Sequence, residues 1–244
     1  MYHTLKSFLI RYFPSLITRF EFTIRRILAL FYRGNKVYCN VCDHHFSQFI
    51  HHDTGDLICP TCGSLGRHRR LWSVLNDRVL PQKQASILHF SPSKIIQKKI
   101  KSSHPNYVTT DYDGKLKADK SYDITNIAAP SQSFDFIICY HVLEHIIEDS
   151  KAISELFRIL KNDGLLIVQT PFNDGDIYED TSIIKPEERL KHFGQADHVR
   201  IYSVQGLQTR LAQQGFSVEE LYFEEKEGNF MGLKLHESIL LCRK

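Results

Sequence analysis

Two pairs of cysteines near the N-terminus have the spacing of a metal site. Cys39-Asn-Val-Cys42 and Cys59-Pro-Thr-Cys62 are separated by sixteen residues, within the roughly 15 to 20 residues typical of a four-cysteine zinc site. Each Cys-x-x-Cys turns both thiolates toward one metal, and four thiolates complete a tetrahedral shell with no open position. The sequence therefore predicts a structural Zn²⁺ held by Cys39, Cys42, Cys59 and Cys62.

The residues around the cysteines favour a small zinc ribbon over a redox centre. Gly55 and Gly63 suit its turns, and Lys36–Tyr38 and Asp56–Ile58 are its predicted short strands. Disulfide or redox use is the alternative, but neither pair lies on the βαβ unit that a thioredoxin-like motif requires. Four histidines could compete as ligands and are instead expected to be solvated: His44, His45, His51 and His52.

Histidine and glutamate also cluster directly after a predicted strand in the second half of the chain. Phe134–Cys139 is a β-branched and aromatic run that predicts a buried strand, and Tyr-His-Val-Leu-Glu-His follows it at residues 140–145. A helix with one apolar face is predicted from Asp149 to Leu160, then a basic turn with a left-handed cap at residues 161–164, then a second strand at Leu165–Gln169. Strand, crossover helix and strand in about 37 residues require parallel strands. The fold class is therefore α/β.

Ligands of open parallel sheets bind outside the carboxyl ends of the strands. His141 and His145 follow such an end, so they are candidates for chemistry at neutral pH. The alternative is that both are polar side chains of a turn that faces water.

The "HVLEH" letters at 141–145 and the Leu-Lys-Asn-Asp-Gly turn at 160–164 resemble the segment after the fourth strand of class I S-adenosylmethionine-dependent methyltransferases, of the type 11-like group. The cysteine ribbon followed by Gly66-Arg-His-Arg-Arg70 is similar to a zinc-ribbon subfamily, so the resemblance covers roughly residues 37–244. It implies a Rossmann-like seven-stranded methyltransferase sheet, with Val218–Phe223 and Ser238–Cys242 as its closing antiparallel hairpin.

The resemblance also implies where S-adenosylmethionine binds. The first strand, Ser86–Phe90, runs into His89-Phe-Ser-Pro92, where most class I methyltransferases have a GxGxG loop that lets the backbone approach the cofactor. Asp111 follows the predicted second strand, Tyr107–Thr110, and is placed to accept hydrogen bonds from the ribose hydroxyls. The predicted cofactor-binding residues are His89, Phe90, Ser91, Asp111, Asp123 and Tyr140.

The acceptor side is predicted in the segment from Pro171 to Tyr202, which has little regular periodicity and is interpreted as a binding loop or lid. Its "RxxHFGQxDHVRxY" letters resemble the acceptor-side loop of the same subfamily. His141 and His198 are the predicted catalytic residues, as bases that accept a proton from the acceptor. The alternative is that Asp197, His198 and Arg200 only anchor the loop.

The N-terminal segment is basic. Residues 5–33 form a predicted amphipathic helix, begun or interrupted near Pro14, with Arg19, Arg26 and Arg33 opposite an apolar stripe. The stripe can pack onto the protein itself or contact a membrane surface or a partner. The predicted domains are this helical segment at 1–35, the ribbon at 36–66 and a methyltransferase domain at 67–244.

Charge and composition limit the function classes. The formal net charge is +3, and the first 38 residues carry seven Lys and Arg against one Glu, so the rest of the chain is slightly acidic. That balance weakens nucleic-acid binding, which depends on phosphate neutralisation, although Arg67 to Arg70 could contact RNA or pair within the protein. Cys139 and Cys242, isolated in apolar strand contexts, are expected to be small buried side chains. With no long apolar run at the N-terminus, the sequence predicts a cytoplasmic location, with peripheral membrane contact left open.

Three functions remain from the sequence. The first is a methyltransferase with a small-molecule or glycan-type acceptor. The second is an RNA methyltransferase that holds RNA through the ribbon. The third is a non-catalytic, methyltransferase-like scaffold that docks partners.

Overall fold

The computed structural model describes residues 14–52, 55–114, 116–225 and 228–244, with side chains from Phe22 onward. The part of the predicted amphipathic helix before Pro14 lies outside the described residues. The chain divides into two compact units, residues 1–80 with 225–234, and residues 81–224 with 235–244. Residues 67–80 and 225–234, which the sequence analysis groups with the methyltransferase domain, therefore cluster with the first unit.

The described residues of the first unit form two helices and two short hairpins. Helix α1 is Pro14–Ala29, followed by a 3-10 turn at Leu30–Tyr32; strands β1 and β2 are Val37–Cys39 and His44–Phe46; β3 and β4 are Ile50–His51 and Leu57–Ile58; helix α2 is Gly66–Val74, continued by a π-helical turn at Leu75–Val79. β1 pairs with β2, and β3 pairs with β4, both antiparallel. The sequence predicted one strand of each hairpin and missed its partner, because two- and three-residue strands carry almost no periodic signal.

Helix α1 buries a basic residue and exposes apolar ones. Arg25 is 7% exposed, whereas Ile27 and Phe31 of the predicted apolar stripe are 57% and 78% exposed. The rest of the stripe from Phe22 onward is mixed, because Ile24 and Leu28 are half-buried. No helix in the described part of the chain is long and apolar enough to cross a membrane.

The second unit is built on a six-stranded mixed sheet. Its elements in chain order are β5 Ile87–Phe90, α3 Lys94–Lys101, β6 Tyr107–Thr110, β7 Phe134–Tyr140, a 3-10 turn Leu143–His145, α4 Asp149–Ile159, β8 Leu160–Gln169, β9 Tyr178–Glu179, α5 Pro186–Phe193, β10 Arg200–Ile201, α6 Val204–Gln213, β11 Ser217–Glu224 and β12 His236–Arg243. The strand order is β11-β12-β8-β7-β5-β6, and β9 pairs with β10 separately. β5, β6, β7 and β8 are parallel, while β12 joins β8 antiparallel.

The predicted seventh strand is reduced to a single bridge. Lys120 pairs in parallel with Thr110, beyond the edge strand β6. The letters Asp-Tyr-Asp-Gly-Lys-Leu-Lys-Ala-Asp-Lys at 111–120 contain no β-branched residue, so a longer strand there has little to stabilise it. Among the described residues the sheet therefore has six strands rather than seven.

The predicted βαβ unit is confirmed, with one correction at its last turn. Helix α4 ends at Ile159, and strand β8 begins at once with Leu160. The left-handed residue is Asp163, with φ 63°, and not Gly164. A side chain at Gly164 would meet the Leu160 side chain at 2.8 Å, so glycine is required there for space.

The segment from Pro171 to Tyr202 is more regular than the sequence predicted. It contains helix α5 and the small β9–β10 pair. Pro186 stands in the first turn of α5, and Gly194 closes the helix with φ 81°. Both residues are standard helix-end signals. The helix itself was not predicted, because its eight residues are mostly polar and show no apolar repeat.

Candidate functional site

The four predicted zinc ligands converge in the first unit. Cys39 Sγ and Cys62 Sγ are 3.7 Å apart, and Cys42 Sγ and Cys59 Sγ are 3.6 Å apart. Those separations are far beyond a disulfide bond of about 2.05 Å. They match the edges of a tetrahedron with metal–sulfur arms of about 2.3 Å, which are about 3.8 Å long. The geometry can hold one tetrahedral metal ion and leaves no position for a substrate.

Polar groups beside the cysteines complete the surroundings of such a site. The Ser64 hydroxyl lies 3.2 Å from both Cys39 Sγ and Cys62 Sγ, and the Cys62 amide donates to Cys59 Sγ at 3.5 Å. Hydrogen bonds of this kind orient thiolate ligands and offset their charge.

Arg69 fixes the segments around the cysteines. Its side chain is fully buried and donates to four main-chain carbonyls: Ser64 O at 2.7 Å, Leu57 O at 2.9 Å, Met231 O at 2.6 Å and Gly232 O at 3.0 Å. The guanidinium also lies 4.1 Å above the Phe49 ring. Arg70 is 4% exposed and pairs with Glu225 at 2.5 Å. Two arginines of the predicted basic run therefore face inward.

The second candidate site lies in the second unit, where the parallel strands end. Ser91 follows β5 and Asp111 follows β6, and the Ser91 hydroxyl donates to Asp111 Oδ1 at 3.1 Å. Asp111 is 7% exposed, and its Oδ2 accepts from the Leu116 amide at 3.0 Å. Ser91 has φ 44°, a left-handed conformation that is uncommon for a residue with a side chain. Serine thus adopts here the left-handed conformation for which a GxGxG loop would use glycine.

The other predicted cofactor residues differ in exposure and in their partners. Asp123 is half-buried and its Oδ1 accepts from both the amide and the hydroxyl of Thr125, at 2.8 and 2.7 Å. Phe90 and Tyr140 are 4% and 7% exposed at the ends of β5 and β7. His89 is 2% exposed and its Nδ1 lies 2.9 Å from the Tyr107 hydroxyl. Burial lowers the pKa of His89 to about 3, so its ring is a neutral core group and only its main chain remains for a ligand.

His141 follows β7 and is held by a carboxylate. Its φ is 57°, and its amide donates to Gln169 O at 2.8 Å. The His141 Nδ1 donates to Glu144 Oε1 at 3.2 Å, which leaves Nε2 as an acceptor. Within the described residues, His141 Nε2 and Glu144 Oε2 are buried atoms with no hydrogen-bond partner. Backbone strain next to unsatisfied polar atoms is typical of a functional site.

His198 lies behind this pair instead of facing solvent. It is 4% exposed, and its Nδ1 donates to Phe193 O at 3.2 Å. Its ring meets the His145 ring edge to face, with centroids 4.7 Å apart. Burial, and then the neighbouring His145, lower the pKa of His198.

Arg200 anchors the predicted acceptor segment. It is 5% exposed and donates to Glu179 Oε2 at 2.7 Å, to Ile147 O at 2.9 Å and to Ile146 O. Asp149, at the start of α4, accepts from the Tyr202 hydroxyl at 2.6 Å and from Arg210. Sequence reasoning missed this network and also missed Glu144, although Glu144 stands inside the motif that drew attention to His141.

A separate open cavity of about 490 Å³ lies elsewhere in the second unit. Its lining comes from residues 175–177 and from the α6 region, including Ser203, Thr209 and Arg210. None of the predicted site residues lines it, so it does not support the predicted cofactor position.

Comparisons with known proteins show what the chain is similar to. The model of a methyltransferase domain family matches residues 77–221. An uncharacterised protein of Methanocaldococcus jannaschii is 36% identical over 84 residues, which span 32% of this chain and 37% of that protein. The match therefore covers little more than a third of that relative.

Solved structures show the same fold at low identity. An S-adenosylmethionine-dependent methyltransferase from Archaeoglobus fulgidus superposes with a TM-score of 0.54 at 13% identity, covering 75% of this chain and 95% of that one. The [4+2]-cyclase SpnF superposes with a TM-score of 0.51 at 16% identity, covering 72% and 80%. The fold is thus shared by proteins whose names describe different reactions.

Proposed function

Because the chain belongs to this methyltransferase domain family, we propose that it transfers a methyl group from S-adenosylmethionine to a small-molecule or glycan-type acceptor. The observation that carries the proposal is the position of Ser91, Asp111 and His141. Each directly follows a parallel strand of one sheet, two of them in left-handed conformations. The carboxyl edge of a parallel sheet is where such folds bind ligands.

The cofactor is proposed to lie across the ends of β5, β6 and β7. Asp111 uses one lone pair on each oxygen for Ser91 and Leu116, and a carboxylate has about four such positions. The remaining positions suit two ribose hydroxyls. Phe90, Asp123 and Tyr140 are proposed to line the rest of the site, and His89 to contribute its main chain.

The acceptor is proposed to react beside His141. S-adenosylmethionine supplies an electrophilic methyl group bound to a positively charged sulfur. When a nucleophile takes the methyl group, the carbon–sulfur bond breaks and the sulfur becomes a neutral thioether. An oxygen or nitrogen acceptor forms the new bond to carbon and must release its proton. His141 Nε2 can take that proton, and Glu144 fixes the tautomer and stabilises the resulting imidazolium.

His198 was predicted as a second base. Its burial and its bond to Phe193 O support instead the anchoring alternative, together with the contacts of Arg200. Replacing His198 with Gln separates the two: an anchor affects stability, and a base affects kcat.

The RNA alternative is less supported by the structure. Arg69 and Arg70 are 0% and 4% exposed, so they cannot neutralise phosphates without leaving their partners. A shallow salt dependence of RNA affinity is expected, because few counterions would be released. The ribbon is proposed to hold Zn²⁺ as a structural ion, since its four sulfur atoms fit a closed tetrahedral shell. Contact of residues 5–33 with a membrane or a partner also remains a proposal.

Two measurements test the function. Calorimetry with S-adenosylmethionine should show binding to one site per chain. A panel of hydroxyl and amine acceptors should then give S-adenosylhomocysteine release that His141→Gln lowers by about a hundredfold, with cofactor affinity unchanged. His236→Gln is the matched control, because His236 is exposed, bonded to Tyr222 and outside the predicted acceptor segment. The absence of cofactor binding in folded, zinc-loaded protein would favour the scaffold alternative.

A further inference from the structure

Behind His141, three side chains that the proposed base mechanism does not fully use converge on one point. Glu144, His145 and His198 each offer a ligand atom, and these atoms all lie within 4.8 Å of one another. Glu144 and His145 come from the 3-10 turn after β7. His198 comes from a segment more than fifty residues later. The Val199 amide donates to Glu144 O at 2.9 Å and ties the two segments together.

The carboxylate in this cluster is buried and only half satisfied. Glu144 is 1% exposed, and its Oε1 accepts from His141. Its Oε2 is buried and has no partner within the part of the chain that the structure describes. A buried carboxylate oxygen without a partner is costly unless it is paired or binds a metal. The cluster therefore lacks a positive charge or a donor at this oxygen.

The two histidines have the hydrogen-bond partners that metal-bound histidines have. His145 Nδ1 lies 3.3 Å from Asp197 O, and His198 Nδ1 lies 3.2 Å from Phe193 O. A carbonyl only accepts, so in each neutral ring the proton is on Nδ1 and Nε2 carries a free lone pair. Metal-bound histidines nearly always donate their second nitrogen to a carbonyl or carboxylate in this way.

We propose that Glu144, His145 and His198 bind a divalent transition-metal ion, of the class of Mn²⁺, Fe²⁺, Co²⁺ or Zn²⁺. Two imidazoles with one carboxylate suit these ions, whereas Mg²⁺ and Ca²⁺ prefer oxygen ligands throughout. Three protein ligands leave at least one position open, as in catalytic metal sites. This distinguishes the site from the closed four-cysteine cluster.

The metal site can be tested without the proposed reaction, but its role rests on the proposed function. Glu144 would contact the ion through Oε2 and would keep its hydrogen bond to His141 through Oε1. An acceptor oxygen in the open position would then lie near the base. A hydroxyl acceptor bound to the ion loses its proton more readily, so the site favours acceptors that carry a hydroxyl group.

Mn²⁺ is the probe of choice, because it is paramagnetic and competes poorly with Zn²⁺ for thiolates. Zinc-loaded full-length protein is titrated with Mn²⁺, and free Mn²⁺ is followed by electron paramagnetic resonance. We expect one saturable Mn²⁺ site per chain. Glu144→Gln, His145→Gln and His198→Gln should each weaken it by about tenfold or more, while His236→Gln leaves it unchanged.

Folding controls keep the outcomes separate. The thermal unfolding curve and circular dichroism show whether the second unit of a variant is folded, whereas retention of the four-cysteine zinc reports on the first unit. His145, whose side chain is 31% exposed, is the substitution least expected to disturb the core. Wild-type protein should also gain thermal stability with Mn²⁺, because the ion binds the folded state. No saturable Mn²⁺ binding by wild-type protein, or equal binding by His145→Gln, would overturn the inference. Failure of the methyl-transfer assay alone would leave it standing.

Discussion

Asp111 gives the sharpest test of the proposed cofactor position. Its carboxylate is 7% exposed and already held by Ser91 and Leu116 at 3.1 and 3.0 Å. It is thus oriented before any ligand arrives, and the cost of ordering it is met by the fold. Asp111→Ala removes charge-assisted bonds to buried hydroxyls, a loss of about 1 to 3 kcal/mol. That corresponds to a Kd for S-adenosylmethionine about 5- to 150-fold higher.

The same substitution also affects folding, and the assay must separate the two effects. In Asp111→Ala the Ser91 hydroxyl and the Leu116 amide lose their acceptor, which costs about 1 to 3 kcal/mol of stability. Calorimetric titration should therefore be done well below the unfolding temperature of each variant. Asp111→Asn can keep its oxygen toward the Leu116 amide and turn its NH2 group toward the Ser91 hydroxyl, which can accept. It loses the charge and one acceptor oxygen, so an intermediate Kd is expected.

Asp113→Ala is the matched control, because Asp113 is exposed two residues further along the same segment. It should bind S-adenosylmethionine like the wild-type protein. If Asp111→Ala is folded and its Kd lies within twofold of that of Asp113→Ala, the ribose does not bind at Asp111. The cofactor position argued from the strand ends would then be wrong.

Three further predictions concern stability. Cys59→Ser should release about one zinc per chain and unfold the ribbon, because metal binding supplies most of the folding energy of so small a module; metal analysis and circular dichroism check this, and a metal-free yet folded wild-type protein would contradict it. Arg69→Met should lower the stability of the first unit by about 3 to 5 kcal/mol, because four carbonyls lose their donor. Urea unfolding and zinc release measure the loss. The control is Arg67→Met, because Arg67 is half-buried, and it should be clearly more stable than Arg69→Met. His89 stays neutral in the folded protein at pH values where the unfolded side chain is protonated. The free energy of unfolding should therefore fall as the pH is lowered from about 6.5 to about 3, by at most about 1.4 kcal/mol per pH unit. In urea unfolding at several pH values, His89→Gln should reduce this slope, and an unchanged slope would assign the loss of stability in acid to other groups.

Local chemistry is what the sequence predicts best. The convergence of Cys39, Cys42, Cys59 and Cys62 follows from two short motifs and their spacing, because each knuckle is set by four consecutive residues. The β7–α4–β8 unit follows in the same way from a change of period within about 37 residues. The sheet edge that carries Ser91, Asp111 and His141 follows from parallel pairing alone.

Interactions between residues distant in the chain could not be predicted. Arg69 bonds Met231 and Gly232, more than 160 residues away, and nothing in the basic run indicates carbonyl partners. The clustering of residues 225–234 with the first compact unit depends on such long-range contacts. Glu179, Asp149 and Arg210 likewise form one network only after β9, α4 and α6 have packed.

The turn after β5 lacks the glycines of the GxGxG pattern but still adopts a left-handed conformation. Glycine is expected there because the backbone must turn left-handed beside a ligand, yet Ser91 adopts φ 44° and its hydroxyl bonds Asp111. The serine thus makes the required turn and orients the acidic residue that the ribose would meet. His141 has the same left-handed conformation, with φ 57°, directly after β7. Left-handed residues also occur at Asp43, Gln132 and Asp163, away from this edge, so what singles out Ser91 and His141 is their place at the carboxyl ends of adjacent parallel strands. Ligands of open parallel sheets bind at that edge, and the backbone there can make the required turns without glycine.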